Sequence, residues 1–181
     1  MPKRAQQLIL ACLIPVGILL GMTITPLYTL LVGEEVVLRT VPVDPTDLFR
    51  GDYVVLRYEA EELPSTLVDE DVLSQLDKGG DNLDVFVPLE LQNGIHVPTK
   101  VSLTIPDTNL YLKGKLQYIG PSWTTDTAGV EVAHISYSLD KYFVEDNTGL
   151  ELEDASRNGD ILAKVKVKNG YAYLVDLSIE N

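Results

Sequence analysis

From Leu8 to Val32 the chain carries no charged residue, with Lys3 and Arg4 before the stretch and Glu34 and Glu35 after it. This feature divides the molecule. A helix rising about 1.5 Å per residue over such a length crosses a hydrocarbon core of about 30 Å with some tilt. Basic residues stay on the cytoplasmic side, so the amino terminus is expected in the cytoplasm and everything after Gly33 outside it. The division expected is residues 1–33 as cytoplasmic tip and transmembrane anchor, and residues 34–181 as an extracytoplasmic β domain. The address is then the inner (cytoplasmic) membrane, with a periplasmic or extracellular carboxyl-terminal domain. Pro15 and Pro26 each remove a helix hydrogen bond and are expected to kink or shorten the span. Neighbouring helices or locally tightened turns can satisfy the freed carbonyls, and contact with a second membrane protein would do so too.

A cleaved leader is the alternative, because the strictly apolar part ends at Met22 before Thr23, Thr25 and Pro26. No small-x-small site follows, so the segment reads as an uncleaved anchor. Ile9-Leu10-Ala11-Cys12 has the look of a lipid-attachment site, but most of the apolar run follows that cysteine instead of preceding it.

All 27 acidic residues lie beyond Gly33, whereas Lys3 and Arg4 are the only two of the 14 basic residues that precede it. So acidic a domain repels phosphate backbones, which excludes nucleic acid as an expected partner. By the same reasoning it is repelled by anionic lipid surfaces. The acidic surface serves to keep the domain soluble, or else to meet a basic partner. Cys12 is the single cysteine and lies in the anchor, leaving the outer domain without disulfide, thiol nucleophile or thiolate metal site. No metal and no cofactor is expected.

Beyond the anchor the apolar period is mostly two, which reads as strands. Strands are expected over 35–41, 53–59, 84–92, 95–105, 111–119, 131–139, 161–168 and 171–179. Asn93-Gly94 and Asn169-Gly170 fit two-residue hairpin turns, in which both central residues take positive φ. Ile161, Ala163, Val165 and Val167 alternate with Leu162, Lys164, Lys166 and Lys168, so one face of that strand is expected inside. In the return strand Ala172, Leu174, Asp176 and Ser178 oppose Tyr173, Val175, Leu177 and Ile179 in phase. Residues 67–76 are expected to be helical and to stop at Gly79-Gly80, and 150–156 to form a second short turn. The fold class is mainly β: one transmembrane helix, then an antiparallel β sandwich or open barrel with one or two short helices.

The densest polar segment joins the first two strands. Asp44 to Phe49 reads as one helical turn, with Asp44 as N-cap, Pro45 in the first helical position and Asp47 three residues in. Gly51 suits a left-handed stop, Asp52 can accept from turn amides, and Arg50 can pair with Asp44 or Asp47. The strand that follows sends Tyr53 and Val55 to one face and Leu56 and Tyr58 toward the other half of the pleat.

Val43 to Tyr58 resembles the signature of the membrane-anchored family named for its Gly-Asp-Tyr-x-x-Leu-x-Tyr motif, with all five named positions present: Gly51, Asp52, Tyr53, Leu56 and Tyr58. The similarity continues through Tyr111-Leu112-Lys113-Gly114-Lys115 and Tyr142-Phe143-Val144, then Gly149 and Glu153; it departs at Glu145-Asp146, where proline and glutamate would be expected. The resemblance implies a short amino-terminal anchor, an extracytoplasmic domain and bacterial origin. It implies no particular reaction. Some relatives are encoded beside multi-pass membrane proteins, which implies a protein partner.

The leading functional expectation is a non-enzymatic accessory or binding module for an envelope or membrane protein. Its contact would lie near Asp44, Asp47, Arg50, Gly51, Asp52, Tyr53, Leu56, Tyr58, Tyr142 and Phe143. On that reading, replacing Asp52 or Tyr58 loses the partner while the domain stays folded. If the signature instead specifies the fold alone, variants at Arg50 or Asp52 unfold. One alternative is a hydrolase acting on envelope peptide or glycan through carboxylates near Asp44–Asp52. Another is a scaffold like that of the membrane-tethered signal peptidases without their chemistry, because the place of the nucleophilic serine falls on Val43 beside Asp44, and neither serves as that nucleophile. Arg50-Gly51-Asp52 spells an adhesion tripeptide, and three aspartates could hold a hard cation, but no calcium-loop spacing is present. His96 and His134 read as structural, Glu151 and Glu153 as surface acids, and Trp123 as a core or contact residue.

Overall fold

The structure, a computed structural model, describes residues 3–41, 53–122, 129–137, 139, 141–143 and 161–179. The first element, α1, is a helix from Lys3 to Val32 that continues through both Pro15 and Pro26. Within it Ala11–Val32 has a mean hydropathy of 1.8 and is long and apolar enough to cross a membrane. Its large apolar side chains from Leu13 to Val32 are exposed. Thr23 donates its hydroxyl to the Leu19 carbonyl at 2.9 Å, which removes a polar group from apolar surroundings.

A single residue, Gly33, separates α1 from strand β1 (Glu34–Val41). Its amide donates to the Thr29 carbonyl at 2.8 Å. A Cβ there would lie 2.4 Å from that same carbonyl oxygen and 3.1 Å from the oxygen of Val167, so only glycine fits so close an approach. Thr29 itself is 1% exposed.

The remaining strands are β2 (Tyr53–Val55), β3 (Arg57–Tyr58), β4 (Glu62–Pro64), β5 (Leu83–Gln92), β6 (Ile95–Pro98), β7 (Tyr111–Pro121), β8 (Glu131–Ser136), β9 (Lys141–Phe143), β10 (Ile161–Lys168) and β11 (Tyr171–Ile179). A short helix, α2, spans Glu70–Asp77. One sheet has the order β11-β10-β1-β3, a second β4-β8-β7-β5-β6, and β2 pairs with β9. Every pairing between these strands, among the described residues, is antiparallel. The expectation of a mainly antiparallel β fold behind an apolar helix is met.

The core forms where inward positions of the two larger sheets meet. Val36 and Leu38 of β1 and Ala163, Val165 and Val167 of β10 belong to one buried cluster with Val85, Val87, Leu112, Leu116 and Ile135. Each larger aliphatic side chain buried in this way contributes about 1.5–3 kcal/mol. β10 shows the alternation read from sequence without exception. Asn169 (φ 51°) and Gly170 (φ 78°) make the turn into β11, and Asn93 (φ 52°) and Gly94 (φ 86°) the turn into β6.

Five expectations need correction. The return strand β11 does not keep one phase: a bulge between Lys164 and Val165 inserts an extra residue, pairing Val165 with Leu174 but Lys164 with Asp176. Both Leu174 and Leu177 therefore reach the core cluster. The strand expected over 95–105 stops at Pro98, and Ser102 rejoins β5 by exchanging two hydrogen bonds with Phe86. The intervening residues loop out so that Val101, fully buried, can bridge Val68. That bridge holds Val68 extended, and so the helix expected from residue 67 starts only at Glu70. Finally, 53–59 is broken at Leu56, and the strand from 131 ends at Ser136. The turn expected over 150–156 lies outside the described residues.

Behind β7, the ring of Tyr137 lies across Gly114, whose Cβ would be 2.9 Å from that ring and 2.6 Å from Ile135 Cγ2. The Tyr137 hydroxyl is buried with no hydrogen-bond partner among the described residues. Burial, and then the charge of Glu61, push its phenol well above the ordinary 10.0. The unfolded chain ionises this group near about pH 10 while the folded one holds its proton, so its stabilising effect is complete below that pH and is lost as pH rises past it. Tyr137→Phe is therefore expected to be neutral or stabilising near neutrality, and to weaken the alkaline loss of stability. Denaturant titrations of both proteins near neutral pH and near about pH 11 check this; an equal alkaline loss in the variant would contradict it.

Candidate functional site

The motif segment changes partner within six residues, Tyr53 to Tyr58. In β2 Tyr53 pairs with Phe143, Val54 with Tyr142 and Val55 with Lys141. After Leu56 the chain turns to β1, where Tyr58 pairs with Thr40 and Arg57 with Val41. Leu56 (2% exposed) and Tyr58 (1% exposed) both lie in the main core. The Tyr58 hydroxyl donates to the Leu139 carbonyl at 2.8 Å, two residues before β9 begins. Its amide donates to the Glu61 carboxylate at 3.3 Å across the tight turn Glu59–Glu61. The segment is thus fastened twice to 139–143: through the β2–β9 ladder and through the Tyr58 hydroxyl.

Two parts of the sequence signature far apart in the chain, Tyr53–Tyr58 and Tyr142-Phe143, are therefore brought together. Asp44, Asp47, Arg50, Gly51 and Asp52 lie outside the described residues, as do Trp123, Glu151 and Glu153. The Tyr58 side chain is enclosed in the core and its hydroxyl is spent on the Leu139 carbonyl.

A second polar cluster escaped the sequence reading as a group. β4 pairs Glu62 with His134 of β8, and Ser122 donates its hydroxyl to Glu62 Oε2. His134 Nε2 faces the Pro121 carbonyl at 3.1 Å, which makes Nε2 the protonated nitrogen, since a carbonyl only accepts. Nδ1 lies 3.9 Å from Glu62 Oε1. The Tyr118 ring lies against the imidazole, with centroids 4.3 Å apart. His134 is 1% exposed.

Serine, histidine and glutamate stand together here in the wrong order for nucleophilic catalysis. An activated serine gives its proton to imidazole, and the carboxylate orients the far nitrogen. In this cluster the hydroxyl donates its hydrogen bond to the carboxylate instead, and the imidazole Nε2 is held by a backbone carbonyl. The arrangement fastens β4 to the end of the β7–β8 pair. His134 stood out in the sequence as a polar residue on an apolar strand, but nothing near it in sequence pointed to Glu62. His96 is likewise structural: its Nδ1 accepts the Val37 amide at 3.0 Å on the side of β1 away from β10. Among the described residues no group of three or more His, Cys, Asp or Glu side chains is placed to hold a metal ion.

A family model described as GDYXXLXY protein matches residues 15–177. Comparison with curated proteins and with solved structures gives no match.

Proposed function

This chain belongs to the GDYXXLXY family, and on that premise we propose that it is a membrane-anchored accessory module. Its β domain engages another membrane or envelope protein and carries out no reaction of its own. In this reading residues 1–33 are anchor and cytoplasmic tip, and residues 34–181 fold outside the cytoplasmic membrane. Lys3 and Arg4 against Glu34 and Glu35 support that orientation.

The observation that carries the proposal is the junction at Gly33. The last turn of α1 buries Thr29 and passes into β1 through one residue, so domain and anchor present themselves to a neighbour in one fixed attitude. Rigid presentation of that kind suits recognition of a partner lying in the same bilayer. Crosslinking in cells followed by purification in mild detergent is expected to recover one specific membrane protein. Recovery of abundant background alone, at matched expression, would count against the module. A protease-accessibility assay on intact cells checks the orientation: the domain should be cleaved only after the outer face is exposed.

A further inference from the structure

The anchor does not simply lead into the domain; its last turn packs against it. Thr29 lies three residues before the end of α1 and is 1% exposed, and the elements α1 packs against are β10 and β11. Gly33 sits against the backbone of Val167, and Glu34 pairs with Val167. The β10–β11 turn is therefore level with the last turn of the apolar helix, where a spanning helix meets the lipid headgroups. Its height is fixed from the other side too, because Lys113 donates its amide to the Gly170 carbonyl at 2.8 Å.

The residues placed at that height have the chemistry of an interface. Register puts Lys168 opposite Tyr171 and Lys166 opposite Tyr173 on the outer face of the sheet, away from the core residues Val165 and Val167. Tyr171 is 43% and Tyr173 41% exposed, large aromatic surface left open beside the helix exit. Aromatic rings with a polar tip settle at headgroup depth, and lysine stems lie along apolar surface while their ammonium groups reach phosphate. Lys166 has Glu35 at 3.8 Å and Lys164 has Asp176 at 3.8 Å, whereas Lys168 has no ion pair among the described residues. The domain as a whole is acidic, yet β10 carries three lysines in alternate positions, and charge acts on a membrane only within about 8–10 Å. What counts is the charge nearest the surface, where Lys166 is paired with Glu35 and Lys168 brings a further positive charge to the turn.

We propose that the β10–β11 hairpin seats the domain on anionic phospholipid headgroups, with Tyr171 and Tyr173 at headgroup depth and Lys166 and Lys168 on lipid phosphates. Continuity with the spanning helix singles out lipid as the occupant. The seat lets an acidic domain stand close to a bilayer by placing Lys166 and Lys168 at the headgroups.

The test uses the full chain with Cys12→Ser and Tyr171→Cys, Cys12 being the only cysteine, labelled with an environment-sensitive fluorophore. It is reconstituted into vesicles of phosphatidylcholine alone or mixed with phosphatidylglycerol, with or without brominated acyl chains. The expected result is blue-shifted emission quenched by bromolipid, both stronger with phosphatidylglycerol. K166E together with K168E should abolish the phosphatidylglycerol dependence while circular dichroism stays unchanged. Should that variant misfold, added salt on the parent labelled protein must remove the same component. Water-like emission in both lipids overturns the seat, as does salt-independent emission. Quenching that follows protein density instead of lipid composition also overturns it, and would indicate a second copy of the chain on this face.

Discussion

Replacing Tyr58 by alanine is expected to remove about 3–5 kcal/mol of folding stability, and replacing it by phenylalanine about 1–2 kcal/mol. The difference separates two contributions of one side chain. Alanine empties a ring-sized space in the main cluster, two residues along the chain from Leu56, and also leaves the Leu139 carbonyl without its donor. Phenylalanine fills the space and loses the donor alone. Against a typical domain stability of about 5–15 kcal/mol, the alanine variant sits near the edge of folding at growth temperature. Denaturant unfolding of the three proteins, together with recovery of the crosslinked partner, decides what the motif does. A Tyr58→Ala protein of undiminished stability that fails to recover the partner would return the residue to the contact surface; loss of both in step leaves it in the core.

Gly33→Val is expected to disrupt the junction while leaving the sheets intact. A Cβ 2.4 Å from the Thr29 carbonyl oxygen and 3.1 Å from the Val167 oxygen meets backbone on both sides, and backbone cannot step aside as a side-chain tip can. Relief requires the last turn of α1 to lift from β10 and β11, exposing Thr29 at a cost of about 1–3 kcal/mol or more. In bilayer discs a protease that cuts after glutamate should then cleave at Glu34 or Glu35 many times faster than in the parent protein. Unchanged cleavage would show that the junction tolerates the extra atoms and is not held as described. The same variant is also expected to lose the lipid response of the labelled hairpin, since the hairpin takes its height from the helix it covers.

Those two residues mark how far sequence reading reached. The β10 alternation and both Asn-Gly turns were legible because period and turn chemistry are local, and the long apolar helix because hydropathy needs no partner. The bulge at Lys164/Val165 was not, since Leu174 and Leu177 are both apolar and only the core behind them decides that both turn inward. Leu56 breaks its strand because the two halves of the motif pair with different strands, β9 and β1, a fact no window of sequence contains. The motif was found as a pattern, but its polar density suggested a surface, while the last tyrosine is enclosed and bonded to a carbonyl far along the chain. Glu62, Ser122 and His134 were invisible as a group because β4 joins β8 only in the folded sheet.

The single-residue link at Gly33 also sets a height. β1 has eight residues and spans about 26 Å at strand rise, so if α1 is the anchor we propose, the sheet it leads into, with no tether to pay out, would rise only about that far above the headgroups. Such a molecule searches in two dimensions. On the accessory-module reading we propose, a partner would reach it along the membrane plane and present its binding surface within one domain's height of the lipid. The neighbours worth crosslinking would then be proteins with short outer loops.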